Sequence, residues 1–465
     1  MLPGKAYIQT HGCQMNEHDS HRMRGVLVAE GYQMTESPEE ASLILVNTCS
    51  VRHNPENKVY SFLGRVRELK QTKPGLIIAV AGCVAQQEGE NILRREKSVD
   101  MVFGPDNLFN LPEMIERVRG GERVLMTKWQ PNEQRVQNFI PDEWVDKGHV
   151  EGCKAFVSIT KGCDNFCTFC VVPYTRGREV SREASSILRE VEDLVSKGAR
   201  EIWLLGQNVN SYRAGSHGFY ELLQEVSEVP GLKRIRFTSP HPNDWNDRLS
   251  DLMAANPVIC NHLHLPFQSG SDRLLGLMRR GHSVAEYLDK IAHMRSINPD
   301  IELSTDVIVG FPTETDEDFE GTLRVLEEAR FAQIFPFKYS PRPKTLALKM
   351  DDDVPRDIKE SRLARTIELT QRISEGDAQR YVGTEQEILI DGAHPRERGM
   401  MSGRTAGFRP VSLRDDSIEI GDVVRVRITR VGGHWLHGDL VEQDRDKSPF
   451  EGGSRGMSSE TVVIL

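Results

Sequence analysis

The sequence predicts an α/β protein of three domains: an N-terminal domain with a parallel sheet, a partial (β/α)6 barrel, and a small C-terminal all-β barrel. Between residues 5 and 380, apolar segments of strand length alternate with polar segments of helix length, and this alternation is typical of parallel sheets. Residues 381–445 carry short alternating runs with glycine-rich turns, which indicate a small all-β unit. A chain of 465 residues has the length of about three domains.

The N-terminal domain, predicted over residues 3–121, contains three βα units with strands at Lys5–Thr10, Leu43–Asn47 and Leu76–Ala81. A cysteine follows each of these strands, namely Cys13, Cys49 and Cys83. Because ligands gather outside the carboxyl ends of parallel strands, we expect the three thiols to meet at one sheet edge and to form a cluster site. The alternative is three buried structural thiols, since free cysteine is among the most buried residue types.

Residues 122–148 lack strong periodicity and contain two prolines, so we predict a linker there. The second domain, predicted over residues 149–380, repeats strand and helix six times. Its candidate strands are Ala155–Thr160, Glu201–Leu205, Arg234–Thr238, Asn261–Leu265, Glu302–Val309 and Gln333–Tyr339. Six such units suit a partial (β/α)6 barrel, whose site is expected at the C-terminal ends of the strands.

The third domain, predicted over residues 381–445, has candidate strands at Glu385–Ile390 and Val423–Ile428. Residues 446–465 are rich in serine and glycine, and we expect them to form a disordered tail.

The composition constrains the setting of the protein. The formal net charge of −10 argues against non-specific affinity for nucleic acid over the whole surface, so an RNA partner would have to meet local groups of cations. Such groups are Arg176, Arg178 and Arg182; Arg279 and Arg280; Lys233, Arg234 and Arg236; and Arg425, Arg427 and Arg430. No apolar run reaches 18 residues and the N-terminus lacks signal-peptide features, so we expect a cytoplasmic protein with reduced thiols and no membrane partner. The sequence shows no sign of oligomer contacts, and a monomer is expected.

Three further cysteines, Cys163, Cys167 and Cys170, follow the first barrel strand with the spacing Cys-x-x-x-Cys-x-x-Cys. Three thiolates in one loop can hold three irons of a [4Fe–4S] cluster and leave the fourth iron open for chemistry. The alternatives are a zinc knuckle or buried thiols, but zinc sites usually add a second cysteine pair or histidines, and none follows here. The spacing is the signature of radical S-adenosylmethionine (SAM) enzymes, in which SAM chelates the open iron.

Longer motifs extend this resemblance over about residues 5–445. They are Thr10–Asn16 followed by Asp19-Ser20, Asn47–Arg52, Ala81–Gln86, Pro173–Glu179, Leu205–Tyr212 and Thr305–Pro312. Together they resemble the methylthiotransferases, a family of radical SAM enzymes that joins a cluster-binding domain, a radical SAM core and a C-terminal TRAM barrel. Within that family the chain is similar to the branch that acts on prenylated adenosine in tRNA.

The resemblance implies two [4Fe–4S] clusters, an auxiliary one on Cys13, Cys49 and Cys83 and a radical SAM one on Cys163, Cys167 and Cys170, which would be the catalytic residues. It implies that one SAM donates a methyl group to sulfur at the auxiliary cluster and another yields the 5′-deoxyadenosyl radical. The product would carry a methylthio group at C2 of N6-(dimethylallyl)adenosine, next to the anticodon. A flavodoxin or ferredoxin system is the expected reductant.

Single residues are candidates for further roles, and for Gln207 and Gly310 the alternative is ordinary turn chemistry. Gln207, after the second barrel strand, is a candidate contact of the methionyl part of SAM. Gly310 is a candidate for close approach of the SAM adenine to the backbone, because glycine lacks a Cβ. Phe169 and Tyr174 are candidates for stacking or for packing. We take Cys153 and Cys260 as structural.

The chain departs from the family pattern at two positions and leaves alternatives for its substrate. Lys344 stands where the family usually has glycine, and Phe408 replaces the usual asparagine before Arg409-Pro410-Val411. The alternative targets are threonylcarbamoyl-adenosine in tRNA and an aspartate of a ribosomal protein. An alternative of another class is an electron-transfer or cluster-carrier protein, which would release no 5′-deoxyadenosine from SAM.

Overall fold

A computed structural model describes residues 4–50, 53–137, 139–415 and 417–446. Val51 and Arg52, which end one of the family motifs, and residues 447–465, which form most of the predicted tail, lie outside the described residues.

The first domain is built on a parallel sheet of six strands. In spatial order these are Gln33–Met34, Lys5–His11, Leu43–Thr48, Ile77–Gly82, Met101–Phe103 and Val124–Met126. Helices lie at Gln14–Ala29, His53–Thr72, Cys83–Glu88, Glu90–Arg95 and Leu111–Arg119, with a 3-10 helix at Pro105–Asn110. Alternate strand residues enter two separate apolar cores: Leu43 and Leu45 pack in one, and Ile44 and Val46 in the other. The helices therefore cover both faces, as a parallel sheet requires.

The predicted parallel sheet is confirmed, and the structure adds three short strands that sequence reasoning missed. One of them, Val124–Met126, lies in the segment predicted as a linker. The rest of that segment forms helices at Asn132–Gln137 and Asp142–Val145, and Phe139, Ile140 and Val145 are buried together with Val180. Its apolar residues are scattered without a period, so their burial depends on packing between domains and leaves no local pattern.

The second domain has the predicted six parallel strands, at Lys154–Ser158, Glu201–Leu205, Arg234–Phe237, His262–His264, Glu302–Val309 and Gln333–Lys338. They form two sheets of parallel neighbours, which a parallel bridge between Ile235 and Ile259 connects into a partial barrel. The edge strand Val150–Glu151 is antiparallel, and two small antiparallel pairs join Thr160–Lys161 to Val180–Ser181 and Arg213–Ala214 to His217–Gly218.

The helices of this domain surround the strands. They are Val172–Thr175, Ala184–Ser196, Phe219–Ser227, Asp247–Ala255, Asp272–Met278, Val284–Ile297, Asp316–Ala329 and Arg356–Ala378, with 3-10 turns at Val209–Ser211, Pro242–Asp244, Ala347–Lys349 and Gln379–Tyr381. Ile202 and Leu204 pack into the large core beneath these helices, whereas Trp203 and Leu205 join another cluster with Phe408. Strand residues therefore alternate between the helical layer and the barrel interior.

The third domain is a closed barrel of five strands in the order Glu385–Ala393, Met401–Thr405, Pro410–Leu413, Trp435–Asp446 and Val423–Gly432. Ile388, Ile390, Val424, Val426 and Ile428 fill its core. The predicted fold class is thus confirmed in all three domains. Within the described ranges, no helix is both long and apolar enough to cross a membrane.

Candidate iron–sulfur site

The loops after three neighbouring strands of the first sheet carry Cys13, Cys49 and Cys83. Cys13 is the residue before helix Gln14–Ala29, and Cys83 begins helix Cys83–Glu88. The loops approach so closely that only glycine fits beside them: a Cβ on Gly12 would lie 2.7 Å from the Cβ of Cys49. The structure therefore brings the first and second of these cysteines together, as the strand order predicts.

The thiols of this first set interact. The hydrogen bond between the Cys13 and Cys49 side chains, opposed by burial and helped by the charge of Arg176, lowers the pKa of the Cys13 thiol to about 6. Burial raises the pKa of the Cys83 thiol, although Arg176 acts in the opposite direction. The charge of Cys13 also raises the pKa of the Cys83 thiol. The three thiols therefore influence one another's ionisation.

Arg176 enters this set from the second domain. Its Nε donates a hydrogen bond to the Cys83 Sγ at 3.2 Å, and its Nη2 lies 2.7 Å from the Asp19 Oδ2. All three side chains are buried. The Arg176 charge lowers the pKa of the Asp19 carboxyl against the opposing effect of burial, so the site holds a buried ion pair beside the thiols.

The second set of cysteines, Cys163, Cys167 and Cys170, lies in a loop after the first barrel strand, as predicted. Two residues of the loop have left-handed backbone, Gly162 with φ 81° and Phe166 with φ 48°. The Thr168 backbone N–H donates to the Met278 carbonyl at 3.0 Å, and its hydroxyl donates to the Leu277 carbonyl at 2.9 Å. The barrel thus fixes the loop to the end of helix Asp272–Met278.

Burial dominates the electrostatics of the second set. Together with the neighbouring thiols of the set, burial raises the pKa of the Cys163 and Cys170 thiols to about 12. Arg280 donates from Nη1 to the Cys167 Sγ at 3.4 Å and from Nη2 to the Pro266 carbonyl at 2.7 Å. Each set of thiols therefore has one buried arginine whose N–H points to a sulfur.

The donor chemistry of both sets fits an iron–sulfur cluster better than a single metal ion. In the part of the chain that the structure describes, no three His, Cys, Asp or Glu side chains converge on one ion position. The thiolates of a [4Fe–4S] cluster bind different irons, so they need not converge, whereas a structural zinc ion needs four converging ligands. Arg280 Nε is also buried without a hydrogen-bond acceptor among the described residues, which leaves a donor beside the second set of sulfurs.

The predicted SAM contacts differ in what surrounds them. The Gln207 Oε1 accepts a hydrogen bond from the Gly162 N–H, so this side chain lies against the second cysteine loop. Gly310 has φ 68°, and a Cβ there would lie 2.3 Å from the Lys359 Cγ. Packing by Lys359 is thus a sufficient reason for glycine at 310. Phe169 packs against a buried cluster near helix Asp272–Met278, and Tyr174 is half-buried.

Sequence reasoning gave no site role to Asp19, and it considered Arg176 and Arg280 only among the groups of cations available to RNA. The structure corrects this interpretation, because both arginines are buried and donate to cysteine sulfur. Arg182, Arg234 and Arg236 from the same groups are buried as well. The local signals were the position of Arg176 inside the Pro173–Glu179 motif and that of Asp19 shortly after Thr10–Asn16.

Comparison with family models gives three matches. Residues 5–104 match the uncharacterized protein family UPF0004, residues 157–326 match the radical SAM superfamily, and residues 379–441 match the TRAM domain. One matched region corresponds to each of the three folded domains.

Curated relatives match over nearly the whole chain. A protein of Geotalea uraniireducens (strain Rf4) is 45% identical over 437 residues, covering 93% of this chain and 98% of that protein. One of Burkholderia cenocepacia (strain J2315) is 46% identical over 460 residues, covering 96% of this chain and 98% of that protein. Both are named tRNA-2-methylthio-N(6)-dimethylallyladenosine synthase.

Two solved structures share the fold. They are of the radical SAM methyltransferase TsrM from Kitasatospora setae, one with cobalamin and a [4Fe-4S] cluster bound and the other with tryptophan and a SAM analog. Their TM-scores are 0.53 and 0.55 at 15% and 14% identity, and they cover 86% and 84% of this chain and 77% and 79% of theirs.

Proposed function

The chain belongs to the family of the tRNA-2-methylthio-N(6)-dimethylallyladenosine synthases, and from this premise we propose that it methylthiolates a prenylated adenosine of tRNA. The hydrogen at C2 of N6-(dimethylallyl)adenosine, next to the anticodon, is replaced by a methylthio group. The C2–H bond of adenine is not acidic, so a positioned general base would contribute little to breaking it. A radical SAM site is suited to this C2–H bond, because a radical can remove the hydrogen without a base.

In this proposal Cys163, Cys167 and Cys170 hold the radical SAM cluster, and Cys13, Cys49 and Cys83 hold the auxiliary cluster. When bound, the two clusters and SAM supply a 5′-deoxyadenosyl radical, a methyl group and sulfur. The chain itself supplies the positions of these groups and a partly enclosed barrel around them. Gln207 and Gly310 stay our candidates for SAM contacts.

The observation that carries the proposal is that one turn of the chain, at Arg176 and Gly177, contacts both thiol sets. Arg176 donates to the Cys83 sulfur of the first set, and the carbonyl of Gly177, the next residue, accepts a hydrogen bond from the Cys163 N–H of the second set at 3.2 Å. Two sites that share a turn can act on one substrate, because proximity converts an encounter between reactants into an intramolecular step. A carrier of a single cluster has no use for this arrangement.

We also propose that the TRAM domain contacts the tRNA backbone. Along the strand Val423–Gly432, Val424 and Val426 are buried in the core, whereas Arg425 and Arg427 are exposed on the outer face. Exposed cations of this kind bind phosphates in a salt-dependent manner. The flavodoxin or ferredoxin reductant, the monomeric state and the cytoplasmic location stay predictions.

The proposal is tested anaerobically with the reconstituted enzyme, SAM, a reductant and tRNA that carries prenylated adenosine without the methylthio group. Mass spectrometry of the digested nucleosides should show a gain that corresponds to methylthio in place of hydrogen. Release of 5′-deoxyadenosine without this gain would indicate that the substrate is instead threonylcarbamoyl-adenosine or the ribosomal aspartate. The absence of both would contradict a radical SAM activity.

Cysteine variants separate the two sites. Replacing Cys163, Cys167 and Cys170 by alanine should abolish both 5′-deoxyadenosine and product. Replacing Cys13, Cys49 and Cys83 by alanine should abolish the methylthio product and leave SAM cleavage. Cys153→Ala is the matched control, because Cys153 is buried and lies outside both sets; its product yield should equal that of the parent enzyme.

A further inference from the structure

Arg176 belongs to the second domain by sequence, but its side chain reaches into the first domain. It follows helix Val172–Thr175, and its guanidinium contacts Cys83 at 3.2 Å and Asp19 at 2.7 Å. Asp19 lies on helix Gln14–Ala29, which starts directly after Cys13. One side chain therefore contacts Cys83 itself and the helix that Cys13 precedes.

The backbone of Arg176 is held in place by a second buried arginine, Arg135. The Arg176 carbonyl accepts a hydrogen bond from Nη2 of Arg135 at 2.7 Å, and the carbonyl of Arg178 accepts from Nη1 of the same residue at 2.6 Å. Arg135 is itself paired through Nε with Asp106 of the first domain at 2.7 Å. Because both ends of Arg176 are fixed, its guanidinium cannot move away from Cys83 without breaking several buried contacts.

We propose that Arg176 is a positioning residue for the auxiliary cluster: it fixes the Cys83 sulfur and keeps a permanent positive charge beside the cluster, which raises its reduction potential. This inference rests on the proposed function, because it assumes a cluster on Cys13, Cys49 and Cys83. Hydrogen bonds to the sulfurs and nearby charge are established ways for a protein to set the potential of such a cluster. A donor N–H and a cation stabilise the reduced, more negative state relative to the oxidised one.

Asp19 does not add to the effect of Arg176. With the arginine present, the carboxylate is paired; without it, burial favours the protonated carboxyl, so the change in potential comes from the lost hydrogen bond to Cys83 and the lost Arg176 charge. Lysine would retain the positive charge, but its ammonium cannot reproduce the planar fork that reaches a sulfur and a carboxylate together. Arg176→Lys should therefore give an intermediate potential, and Arg176→Met a low one.

The test uses the full chain with Cys163, Cys167 and Cys170 replaced by alanine, so that only the auxiliary cluster can assemble. Iron content and the midpoint potential, followed by electron paramagnetic resonance, are measured for this parent, R176K, R176M and R178M. Arg178 is the control because it lies in the same turn, is 60% exposed and pairs with Asp164 at 2.9 Å.

We expect R176M to lower the ratio of reduced to oxidised cluster at least tenfold at a fixed potential, which is about 59 mV for a one-electron couple. R176K should give a smaller decrease, and R178M none. In the complementary background without Cys13, Cys49 and Cys83, R176M should leave the potential of the other cluster unchanged. A general loss of structure would change the potentials of both clusters, so an effect on the auxiliary cluster alone separates the two explanations.

Equal potentials in the parent and in both Arg176 variants would overturn the inference and leave the proposed function intact. Absence of any cluster in the parent itself would instead overturn the second cluster of the proposed function, and the inference with it. If R176M binds no iron while its metal-free form unfolds at the parent temperature, the positioning role is supported. If R176M does not fold, the midpoint potential of R176K is compared with that of the parent, and equal values overturn the inference.

Discussion

Two single residues show how the backbone explains departures from a family pattern. Lys344 and Phe408 replace a usual glycine and a usual asparagine, and both have left-handed backbone, with φ of 68° and 72°. Glycine and asparagine are the residue types that adopt this conformation most readily. Phe408 gains buried contacts in exchange, whereas Lys344 is exposed. Both positions therefore have a backbone conformation that suits the usual residue of the family better than the residue present here.

Lys344→Gly should therefore stabilise the protein. The left-handed conformation costs an ordinary residue about 1–2 kcal/mol, and the greater freedom of glycine in the unfolded chain offsets about half of this gain. We expect the free energy of unfolding to rise by roughly 0.5–1 kcal/mol, measured by urea denaturation of the metal-free protein. Lys349→Gly is the control, because Lys349 is exposed in the 3-10 turn Ala347–Lys349 and its φ is not positive. That variant should lose stability, and a loss in Lys344→Gly would contradict the argument.

At the scale of elements, the cysteine loop depends on one glycine. Gly162 has φ 81°, and a Cβ there would lie 2.2 Å from the Arg178 carbonyl and 2.5 Å from the Gly177 carbonyl. Both obstacles are backbone atoms, so a side chain cannot be accommodated by a rotamer change. The loop and the turn that carries Arg176 therefore pack without space for a single methyl group.

Gly162→Ala should displace the loop and impair binding of the radical SAM cluster. In the background without Cys13, Cys49 and Cys83, we expect the variant to retain less than about half of the parent iron after reconstitution, because the thiols no longer share one geometry. Gly215→Ala is a matched control: Gly215 also has positive φ, 57°, but a Cβ there meets nothing within 4 Å. Equal iron in both variants would show that the close contact does not position the loop.

The sequence predicted those elements that carry a pattern of their own. Strands Glu201–Leu205 and Glu302–Val309 have the predicted bounds, because each closes with a short apolar run that a glycine follows, which marks its end in the sequence. Gln33–Met34, Met101–Phe103 and Val124–Met126 were missed, since two or three residues are too few to show alternation. The cysteines could be found by their spacing and by their place after strands. The contact of Arg176 with Cys83 could not, because it joins residues of different domains.

At the scale of the whole molecule, a buried group of charges joins the first two domains. Glu190 of helix Ala184–Ser196 pairs with Arg22 of helix Gln14–Ala29 and with Arg182 of its own domain. Arg22 also donates from Nη1 to the Trp144 carbonyl at 2.8 Å. All three charged side chains are almost fully buried. A buried pair is costly to break, because the remaining charge stays out of water.

Arg22→Met should weaken the contact between these domains. We expect a loss of about 3 kcal/mol in the free energy of unfolding, since Glu190 loses one of two buried partners. Arg189→Met tests the same helix at its surface, where Arg189 is 46% exposed and pairs with Asp142 and Asp146. That change should cost less than about 1 kcal/mol. Urea denaturation of both metal-free variants gives the comparison, and equal losses would contradict a special role for the buried group.

The C-terminal barrel is joined to the second domain by an aromatic side chain that enters the (β/α)6 barrel. The ring of Phe408 lies 5.3 Å from that of Trp203 and 5.1 Å from that of His262, both on barrel strands. Arg236 donates to the carbonyls of Thr405 and Ala406 at 2.8 and 3.0 Å. The TRAM domain is therefore part of the packing of the catalytic domain as well as a candidate surface for tRNA.

Phe408→Ala should consequently destabilise the enzyme in the absence of any tRNA. Removing a buried phenylalanine costs about 3–5 kcal/mol, and here the cavity would expose the buried Arg236 and Glu201 ion pair to water. Arg427→Ala, on the outer face of the TRAM barrel, should leave the unfolding curve unchanged and reduce tRNA affinity in a salt-dependent way. Thermal unfolding without tRNA and binding with tRNA separate the two effects. If Phe408→Ala altered only tRNA binding, the domain would be an independent module, and its contacts with Trp203 and Arg236 would contribute little to the stability of the barrel.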